Sequence, residues 1–354
     1  MKQPIIALDA RCIGNRNTGD TTYWTGLLHG LFNSKNKFQY LLFSNAPRPP
    51  EIPESERLRW VELKASSSRW WSLVAFPLAA RKAGASILHT QYTLSPLAVN
   101  GITTIHDVSF FVGPNWFKPK DRFLLQKSVP PSARRASRVI TVSETSKRDI
   151  LKYIPIPENK VAVTHLAPAL GIRHVQNPDL SKLGIEKPFI LTVGTRWPRK
   201  NMQLALDAVE LLPDSLLHKL IVTGQPGWGE ETYGKRAKAS GWVTNEELSH
   251  FYSAADLYLV PSRYEGFGLT PLEAFECGCP VLSSAGGSLP EVCGDAAEIE
   301  ESWDAHKWAS RIESLLADSS KLSEMREKGL KRVETYSWDL TAELTEEVYK
   351  EVLR

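Results

Sequence analysis

Residues 256–278, DLYLVPSRYEGFGLTPLEAFECG, contain the pattern that decides the fold. The apolar run LYLV is followed by a glycine-containing turn that opens a helix. A buried strand that leads through a short turn into a helix is the repeating unit of a parallel α/β sheet. Ligands of such sheets bind beyond the carboxyl ends of the strands, so the turn is the first candidate for a functional site.

The same alternation continues in both directions along the chain. Strands are predicted at IIALDA (5–10), FQYLLFS (38–44), SILHTQY (86–92), GITTIHDVS (101–109) and RVITVSE (138–144), and again at FILTVGT (189–195), KLIVTGQ (219–225), DLYLVPS (256–262) and CPVLSSA (279–285). Helical apolar spacing lies between them, for example in TTYWTGLLHGLF (21–32) and NMQLALDAVELL (201–212). A loop near residues 166–188 separates the two series. The sequence therefore predicts an α/β protein with two doubly wound, Rossmann-like domains and a ligand cleft between them.

Composition narrows the class of protein. The 354 residues are 42% apolar and 23% charged, which is typical of a globular chain. No run approaches the roughly 20 apolar residues of a membrane helix, and the N-terminal apolar stretch is short enough to be a buried strand rather than a secretion signal. The four cysteines have neither zinc-ligand spacing nor a disulfide framework. We therefore expect a reduced, cytoplasmic protein.

Charge is unevenly distributed between the two series. Residues 1–170 contain 23 lysines and arginines against 11 acidic residues, whereas residues 171–354 contain 20 against 29. The basic half could face a phosphate-bearing lipid or a membrane leaflet, or it could simply be a solvated basic face. Both interpretations stay open from charge alone.

The common phosphate and cofactor motifs are absent from the sequence. Gly14 and Gly19 have the spacing of a Walker loop, but Asp20 occupies the lysine position, where a carboxylate would repel phosphate. No G-x-G-x-x-G follows the first strand, and none of the 13 aspartates lies two residues from another. A diphosphate would then be held by lysine, arginine and backbone amides at helix N-termini, without a metal ion or another cofactor.

The turn after LYLV has the groups that such a ligand needs. Glu265 falls at the carboxyl end of the strand, and Glu273 lies about one helical turn beyond the helix start. Between them, the amides of Gly266, Phe267, Gly268, Leu269 and Thr270 are predicted to hold phosphate oxygens, while the two carboxylates accept hydrogen bonds from hydroxyls. The alternative is that both glutamates only complement the helix dipole.

Glu265-x7-Glu273 resembles the E-x7-E motif of retaining glycosyltransferase family 4. Further segments resemble that family in the expected order: TGDTTYWTGLL, TTIHDVSFF, RVITVSETSKRDI, ILTVGTRWPRKN, SGWVTNEELSHFYSAADLYLVPSRYEGFG and CGCPVLSSAGGSLPEVCGDAA. The resemblance implies the GT-B fold, with an acceptor-binding domain at 1–170 and a donor-binding domain at 171–337. The terminal segment 338–354 resembles the helix that crosses back onto the N-terminal domain in this fold.

The resemblance also implies roles for individual residues. In the family the first glutamate, here Glu265, contacts the donor sugar, and the second, here Glu273, holds the ribose. Lys200 matches the lysine that neutralises the diphosphate, and Gly19 matches a glycine whose backbone approaches it. His106 matches the histidine near the reacting carbon.

The second positively charged side chain that the family places beside the donor diphosphate is not at its usual position here. The family often has arginine directly after the strand-end glycine, where this chain has Thr195. Arg196 or Arg199 could replace it, and Arg196 is the predicted choice.

The implied activity is metal-independent transfer of a hexose, with retention, from a nucleotide-diphosphate sugar to a glycan or lipid-linked acceptor in cell-surface polysaccharide synthesis. GDP-mannose or a UDP-hexose is the expected donor, and nucleic acid is not an expected partner. A basic cluster is the candidate for a phosphate-bearing acceptor or for peripheral contact with the inner face of the membrane: Lys118, Lys120, Arg122, Lys127, Arg134, Arg135 and Arg138. The alternatives are an epimerase or phosphorylase of the same fold, and an inactive nucleotide-sugar-binding subunit.

Overall fold

The computed structural model describes residues 3–14, 19–50, 52, 55–181, 184–228 and 231–354. Residues 15–18, which form most of the Walker-like segment, lie outside the described residues. The chain divides into two compact units, Met1–Leu166 with Ser337–Arg354 and Ala167–Tyr336. Each unit is built on its own parallel sheet.

The first unit has a seven-stranded sheet in the order β3-β2-β1-β4-β5-β6-β7, and all its strand pairs are parallel. The strands are β1 (Ile5–Asp9), β2 (Gln39–Ser44), β3 (Leu58–Glu62), β4 (Ile87–Gln91), β5 (Gly101–Thr104), β6 (Arg138–Thr141) and β7 (Val161–Val163). The helices are α1 (Gly19–Asn33), α2 (Ser68–Trp70) with a π-helical turn at Trp71–Ala75, α3 (Phe76–Lys82), α4 (Ser109–Val112), α5 (Pro119–Arg135) and α6 (Glu144–Tyr153), with 3₁₀ turns at Pro114–Trp116 and Glu158–Lys160. The central strands are buried on both faces, as the near-continuous apolar runs predict.

The second unit has a six-stranded parallel sheet in the order β10-β9-β8-β11-β12-β13. Its strands are β8 (Phe189–Val193), β9 (Lys219–Thr223), β10 (Ala237–Gly241), β11 (Leu257–Val260), β12 (Val281–Ser284) and β13 (Ala297–Glu300). Its helices are α7 (Met202–Glu210), α8 (Asn245–Ala254), α9 (Leu269–Glu276), α10 (Leu289–Cys293), α11 (Ala305–Ala317) and α12 (Ser319–Val333), with 3₁₀ turns at Pro198–Lys200 and Gly294–Ala296. The two strand orders are those of doubly wound sheets, so the predicted fold class is confirmed.

The terminal helix α13 (Trp338–Leu353) belongs to the first unit and packs on α1. Ser337 caps its N-terminus by accepting a hydrogen bond from the Leu340 amide. Its buried Glu346 carboxylate accepts hydrogen bonds from Tyr40, Ser34 and Asn36. These bonds satisfy the carboxylate in the interior and hold the helix against the sheet.

Two glycines of α1 allow the close approach of this helix. A methyl group on Gly30 would lie 2.1 Å from the Trp338 carbonyl oxygen, and one on Gly26 would overlap the Trp338 ring. Replacing Gly30 by alanine is expected to destabilise the protein by about 2 kcal/mol, because the neighbouring atom is backbone and cannot rotate away. The first thermal unfolding transition should fall by about 4 °C or more.

Gly19→Ala is the matched control for this substitution, since it lies in the same helix and its added methyl would have no atom of the described residues within 4 Å. We expect its melting temperature to match that of the wild type. Equal melting temperatures for Gly30→Ala and Gly19→Ala would contradict the packing argument.

Candidate functional site

Glu265 and Lys200, both predicted from the sequence, are in direct contact in the second unit. The Lys200 Nζ donates to Glu265 Oε1 at 2.7 Å, and the Ser262 hydroxyl donates to the same oxygen at 2.5 Å. The Arg199 Nη1 donates to Glu265 Oε2 at 2.9 Å. The carboxylate is only 7% exposed, so both of its oxygens are held by hydrogen bonds in a nearly dry environment.

The turn after β8 positions the two cations. Pro198–Lys200 forms a 3₁₀ turn, and Asn201 ends it in the left-handed region at φ 52°. Arg199 also donates to the Tyr264 carbonyl at 2.7 Å, and the Arg263 amide donates to the Arg199 carbonyl at 2.8 Å. The loops that follow the adjacent strands β8 and β11 are therefore joined at the point where the three charges meet.

A third loop, the one that follows β12, supports the backbone of Glu265. The Glu265 amide donates to the Gly286 carbonyl at 3.3 Å, and the Ser288 amide donates to the Glu265 carbonyl at 3.0 Å. The Ser288 hydroxyl also donates to the Phe267 carbonyl at 2.5 Å. A methyl group on Gly286 would lie 2.2 Å from the Ser262 carbonyl oxygen, so this close approach of two backbones requires glycine.

The charges around Glu265 fix its ionisation. Burial alone would raise the pKa of the carboxyl, but Lys200 and Arg199 outweigh burial and lower the pKa to about 2. Glu265 is therefore an anion throughout the neutral range and a weak base. With Lys200 and Arg199 it forms a cluster of one net positive charge.

The predicted amide segment runs from this cluster into α9. Gly268 has φ 109° and precedes the first helical residue, Leu269. The first amides of a helix have no intrahelical acceptor, so the start of α9 attracts negative charge. Phe267 is buried against Tyr336, with ring centroids 5.7 Å apart, and this contact anchors the turn.

Glu273, the second predicted glutamate, is also 7% exposed. Tyr252 donates to its Oε2 at 3.3 Å. Burial raises the pKa of Glu273 to about 7, although Tyr252, the Ala169 amide and Lys200 oppose the rise. The two glutamates of the motif therefore differ in chemistry, because one is ionised by its cations and the other titrates near neutrality.

Arg196 contacts a different carboxylate, that of Glu231. It donates to the Tyr233 hydroxyl at 2.8 Å and forms an ion pair with Glu231 at 3.4 Å. Arg199 is the arginine that the structure places on the Glu265 carboxylate. A role for Arg196 at the diphosphate stays a prediction, and Arg199 is a second candidate with a direct contact.

His106 follows β5 at the carboxyl edge of the sheet in the first unit. Its Nε2 lies 2.6 Å from Gln91 Oε1 and 3.8 Å from Asp20 Oδ1, next to Gly19 at the start of α1. Burial lowers the pKa of His106, while Asp20 and Asp107 oppose the change. Because both neighbours of Nε2 are oxygen acceptors, the neutral ring carries its proton on Nε2. Asp107 accepts a hydrogen bond from the Ser109 amide at 2.7 Å and so caps the following turn.

Sequence reasoning missed the residues that hold His106. The Tyr23 ring packs edge-on against the imidazole at 4.8 Å, and its hydroxyl lies 2.9 Å from Thr104 Oγ1. Thr104 in turn contacts the buried His89, whose other ring nitrogen lies 2.7 Å from the Tyr349 hydroxyl. Burial lowers the pKa of His89 to about 3, so this histidine is neutral. The pattern T-x-Y-W in α1 gives no local signal for these long-range contacts.

Gln91 is expected to position His106 and, through it, to affect catalysis at this site. Gln91→Ala removes the hydrogen bond to His106, worth about 1 kcal/mol, together with a weaker one of 3.6 Å to the Cys12 sulfur, and should lower kcat roughly fivefold. Gln91→Glu places a carboxylate beside the ring and should raise the pKa of His106, which would shift the acid limb of the pH–rate profile upward.

Gln126→Ala is the matched control in the same unit, because among the described residues the Gln126 side chain bonds only the Phe110 carbonyl, at 2.9 Å. A pH–rate profile for Gln91→Glu that matches the wild-type profile would contradict the positioning role.

Two features are absent from the residues that the structure describes. No helix there is long and apolar enough to cross a bilayer. The same residues contain no group of three or more histidine, cysteine or acidic side chains arranged to hold a metal ion.

The chain is similar to known glycosyltransferases in both halves. The family model "Glycosyltransferase Family 4" matches residues 22–167, and "Glycosyl transferases group 1" matches residues 176–332. Over 270 residues the chain is 34% identical to the O-antigen chain mannosyltransferase B of Escherichia coli, covering 70% of each protein. It is 29% identical to the O-antigen chain mannosyltransferase RfbU of Salmonella typhimurium, covering 64% of this chain and 63% of that protein. The chain spans less than a third of the length of three longer relatives, the E. coli serotype-specific mannosyltransferases WbdA.

Solved structures resemble the whole chain. Sucrose-phosphate synthase from Thermosynechococcus elongatus has a TM-score of 0.79 at 21% identity, with 99% of each chain covered. The Anabaena protein HepE, in complex with UDP and glucose, has a TM-score of 0.74 at 15% identity, covering 99% of this chain and 100% of that one. At these identities the likeness is one of fold.

Proposed function

The chain belongs to family 4 of the glycosyltransferases and has the GT-B fold, and we propose that it transfers a hexose with retention from a nucleotide-diphosphate sugar. The observation that carries the proposal is the cluster of Lys200, Arg199 and Glu265 beside the start of α9. Partly buried cations and helix amides suit an anionic diphosphate, and the carboxylate suits sugar hydroxyls. We propose that the acceptor is a glycan or a lipid-linked sugar.

Negative charge develops on the diphosphate as the glycosidic bond breaks. Lys200 and Arg199 would stabilise this leaving group together with the amides at 266–270, in a site that excludes most water. The proposed reaction therefore needs no metal ion to neutralise the diphosphate. On donor binding the sugar hydroxyls would share the Glu265 carboxylate with the two cations.

We propose that retention occurs without a covalent intermediate, and the state of Glu265 supports this proposal. A carboxylate nucleophile must approach the reacting carbon with an unshared oxygen, as in retaining hydrolases. Glu265 has both oxygens on cations or a hydroxyl and a pKa of about 2, which makes it a poor nucleophile. We therefore propose a front-face reaction, in which a phosphate oxygen of the leaving group takes the proton of the acceptor hydroxyl.

The names of similar proteins support a choice of donor sugar and of product. Two of the similar proteins are named as O-antigen mannosyltransferases, which supports GDP-mannose as donor and cell-surface polysaccharide as product. HepE was solved with UDP and glucose, so a UDP-hexose is the competing donor.

We propose that the basic N-terminal domain contacts an anionic membrane. Near the start of α5, Phe123 is 64% exposed and Leu124 is 49% exposed, beside the exposed Lys118, Lys120 and Lys127. Apolar side chains flanked by lysines suit a leaflet that carries anionic lipid. We expect the protein to sediment with vesicles that contain anionic lipid and to be released when Phe123 and Leu124 are replaced by serine. Sedimentation that is unaffected by this change would contradict the contact.

A donor panel tests the proposed reaction. Nucleotide release from GDP-mannose, UDP-glucose, UDP-galactose, UDP-N-acetylglucosamine and ADP-glucose is measured with EDTA present, for wild type and for Lys200→Ala. We expect one donor to be turned over in EDTA and the variant to lose that activity. Release of hexose 1-phosphate from a glucan would instead indicate a phosphorylase. The absence of both turnover and binding for every donor would favour an inactive subunit.

A further inference from the structure

Tyr92 has a backbone conformation that a tyrosine rarely adopts. Its φ is 56°, and the Thr93 amide donates to the Gln91 carbonyl at 2.5 Å, so Tyr92 is the centre of a γ-turn of the rare, strained form. The turn directly follows β4, and the Tyr92 amide donates to the Thr104 carbonyl of β5 at 2.9 Å. A bulky residue in the left-handed region costs free energy that glycine would avoid, and such strain is concentrated at functional sites. A role that needs the side chain would explain why a tyrosine stands here.

The Tyr92 ring lies beside His106, at the carboxyl edge of the sheet in the first unit. The two ring centroids are 5.8 Å apart, and the ring planes are inclined at 59°. Gln91, the residue that precedes Tyr92, contacts the same imidazole through Nε2 at 2.6 Å. Tyr92 packs against the core of the first unit and is partly exposed. The strained turn therefore places an aromatic surface next to the histidine that the family resemblance assigns to the reaction centre.

An exposed carboxylate lies next to the same imidazole. Asp20 Oδ1 is 3.8 Å from His106 Nε2, and the Asp20 side chain is 55% exposed. Such a carboxylate can accept hydrogen bonds from hydroxyl groups. A pyranose has hydroxyls at its rim and C–H groups on its face, so it suits an aromatic ring and a carboxylate that share one neighbour. These residues belong to the half of the chain to which the family resemblance assigns the acceptor.

We propose that Tyr92 binds the terminal pyranose of the acceptor and so helps to determine which sugar is extended. The inference rests on the proposed function and deepens it, because it names an acceptor-binding residue and the chemistry of its ligand. The tyrosine ring stacks on the C–H face of the sugar, and Asp20 accepts hydrogen bonds from its hydroxyls. The strained γ-turn holds the ring beside His106, where the acceptor hydroxyl must meet the donor sugar.

The test uses the whole protein, with methyl glycosides and disaccharides of mannose, glucose, galactose and N-acetylglucosamine as acceptors. Steady-state kinetics with the donor that the panel above identifies are compared for the wild type and for Tyr92→Phe, Tyr92→Ala and Tyr92→Gly. We expect the acceptor KM to rise about fivefold or more for alanine and glycine, with kcat and the donor KM changed less than about twofold. Phenylalanine keeps the ring and should restore most of the wild-type acceptor KM.

The comparison of alanine with glycine separates the ring from the backbone. Both variants lose the ring, but only glycine adopts a φ of 56° without strain. Tyr92→Gly should therefore melt at a higher temperature than Tyr92→Ala, while the two variants have the same acceptor KM. A wild-type acceptor KM in Tyr92→Gly would show that the ring does not bind the acceptor, and it would overturn the proposal.

Asn100→Gly is the matched control in the same unit. Asn100 also has a positive φ, of 45°, but it precedes β5, at the opposite edge of the sheet, and its side chain donates to the Ser86 carbonyl at 3.1 Å. We expect its acceptor KM to match that of the wild type, and an effect equal to that of Tyr92→Gly would overturn the proposal. Loss of affinity for free GDP or UDP in Tyr92→Gly, with the acceptor KM unchanged, would assign the ring to the nucleobase and overturn it as well.

Failure of the proposed function would give a different result. A wild-type protein that binds one of these glycosides in calorimetry and loses that binding in Tyr92→Gly, yet releases no nucleotide from any donor, would retain this inference and refute the transferase reaction. A wild-type protein that releases nucleotide from a donor, but neither binds nor extends any of the glycosides, would overturn this inference and leave the donor reaction in place.

Discussion

Replacing Glu265 with glutamine is expected to lower kcat/KM by about 10²–10³-fold. The substitution keeps the size of the side chain but removes the anion that orients Lys200 and Arg199 through bonds of 2.7 and 2.9 Å. It also raises the net charge of the cluster by one, so the free nucleoside diphosphate should bind at least as tightly as before. Loss of turnover with retained nucleotide affinity, measured by steady-state kinetics and calorimetry, is the expected combination.

Two comparisons make this result specific. Lys200→Met should lose nucleotide affinity as well as turnover, because it removes a cation that is proposed to neutralise the diphosphate. Glu276→Gln is the matched control on α9, the helix that follows Glu265, since Glu276 is half-buried but has no cation among its described contacts, and its pKa is raised by burial alone. Turnover by Glu265→Gln within tenfold of the wild type would exclude a direct role for the carboxylate.

The sequence predicted the interior of both sheets and missed their edges. All nine predicted strands are present, and the four that were not predicted are β3, β7, β10 and β13. These are the edge strands of the two sheets. Central strands are buried on both faces and have continuous apolar runs, whereas an edge strand such as AKASG in β10 is largely exposed and has none.

The site could be predicted only where its residues share one local motif. Glu265, the turn at 266–270 and Glu273 are close in the sequence, so their placement follows from one strand, one turn and one helix. The contacts of Arg199 with Glu265, and of Gln91 with His106, join loops of different strands. Which loops become neighbours depends on the strand order, which spacing along the chain does not fix.

Donor affinity is expected to fall by up to about a hundredfold between pH 8 and pH 5 if Glu273 holds the ribose, as the family resemblance implies, and does so in its ionised form, in which both oxygens accept hydrogen bonds from the two hydroxyls. Its pKa of about 7 implies that roughly 1% of the carboxyl is ionised at pH 5, and the apparent dissociation constant rises in proportion. Glu265, with a pKa of about 2, stays ionised over this range and does not contribute to the change. Glu273→Gln should bind the donor weakly at pH 8 and with little dependence on pH, as measured by calorimetry with the intact nucleotide sugar.

Ionisation of Glu273 is expected to strengthen donor binding but to lower the folding stability. A general loss of structure at low pH would instead lower both. A carboxyl whose pKa is raised from 4.5 to about 7 binds its proton more tightly in the folded state. Its contribution to stability is therefore complete below pH 4.5 and is lost as the pH rises through 7. Glu273→Gln should be more stable than the wild type at pH 8, by on the order of 3 kcal/mol, with the difference shrinking toward pH 4.5. A stability difference that is constant with pH would show that Glu273 titrates normally and would remove the basis for the predicted donor dependence.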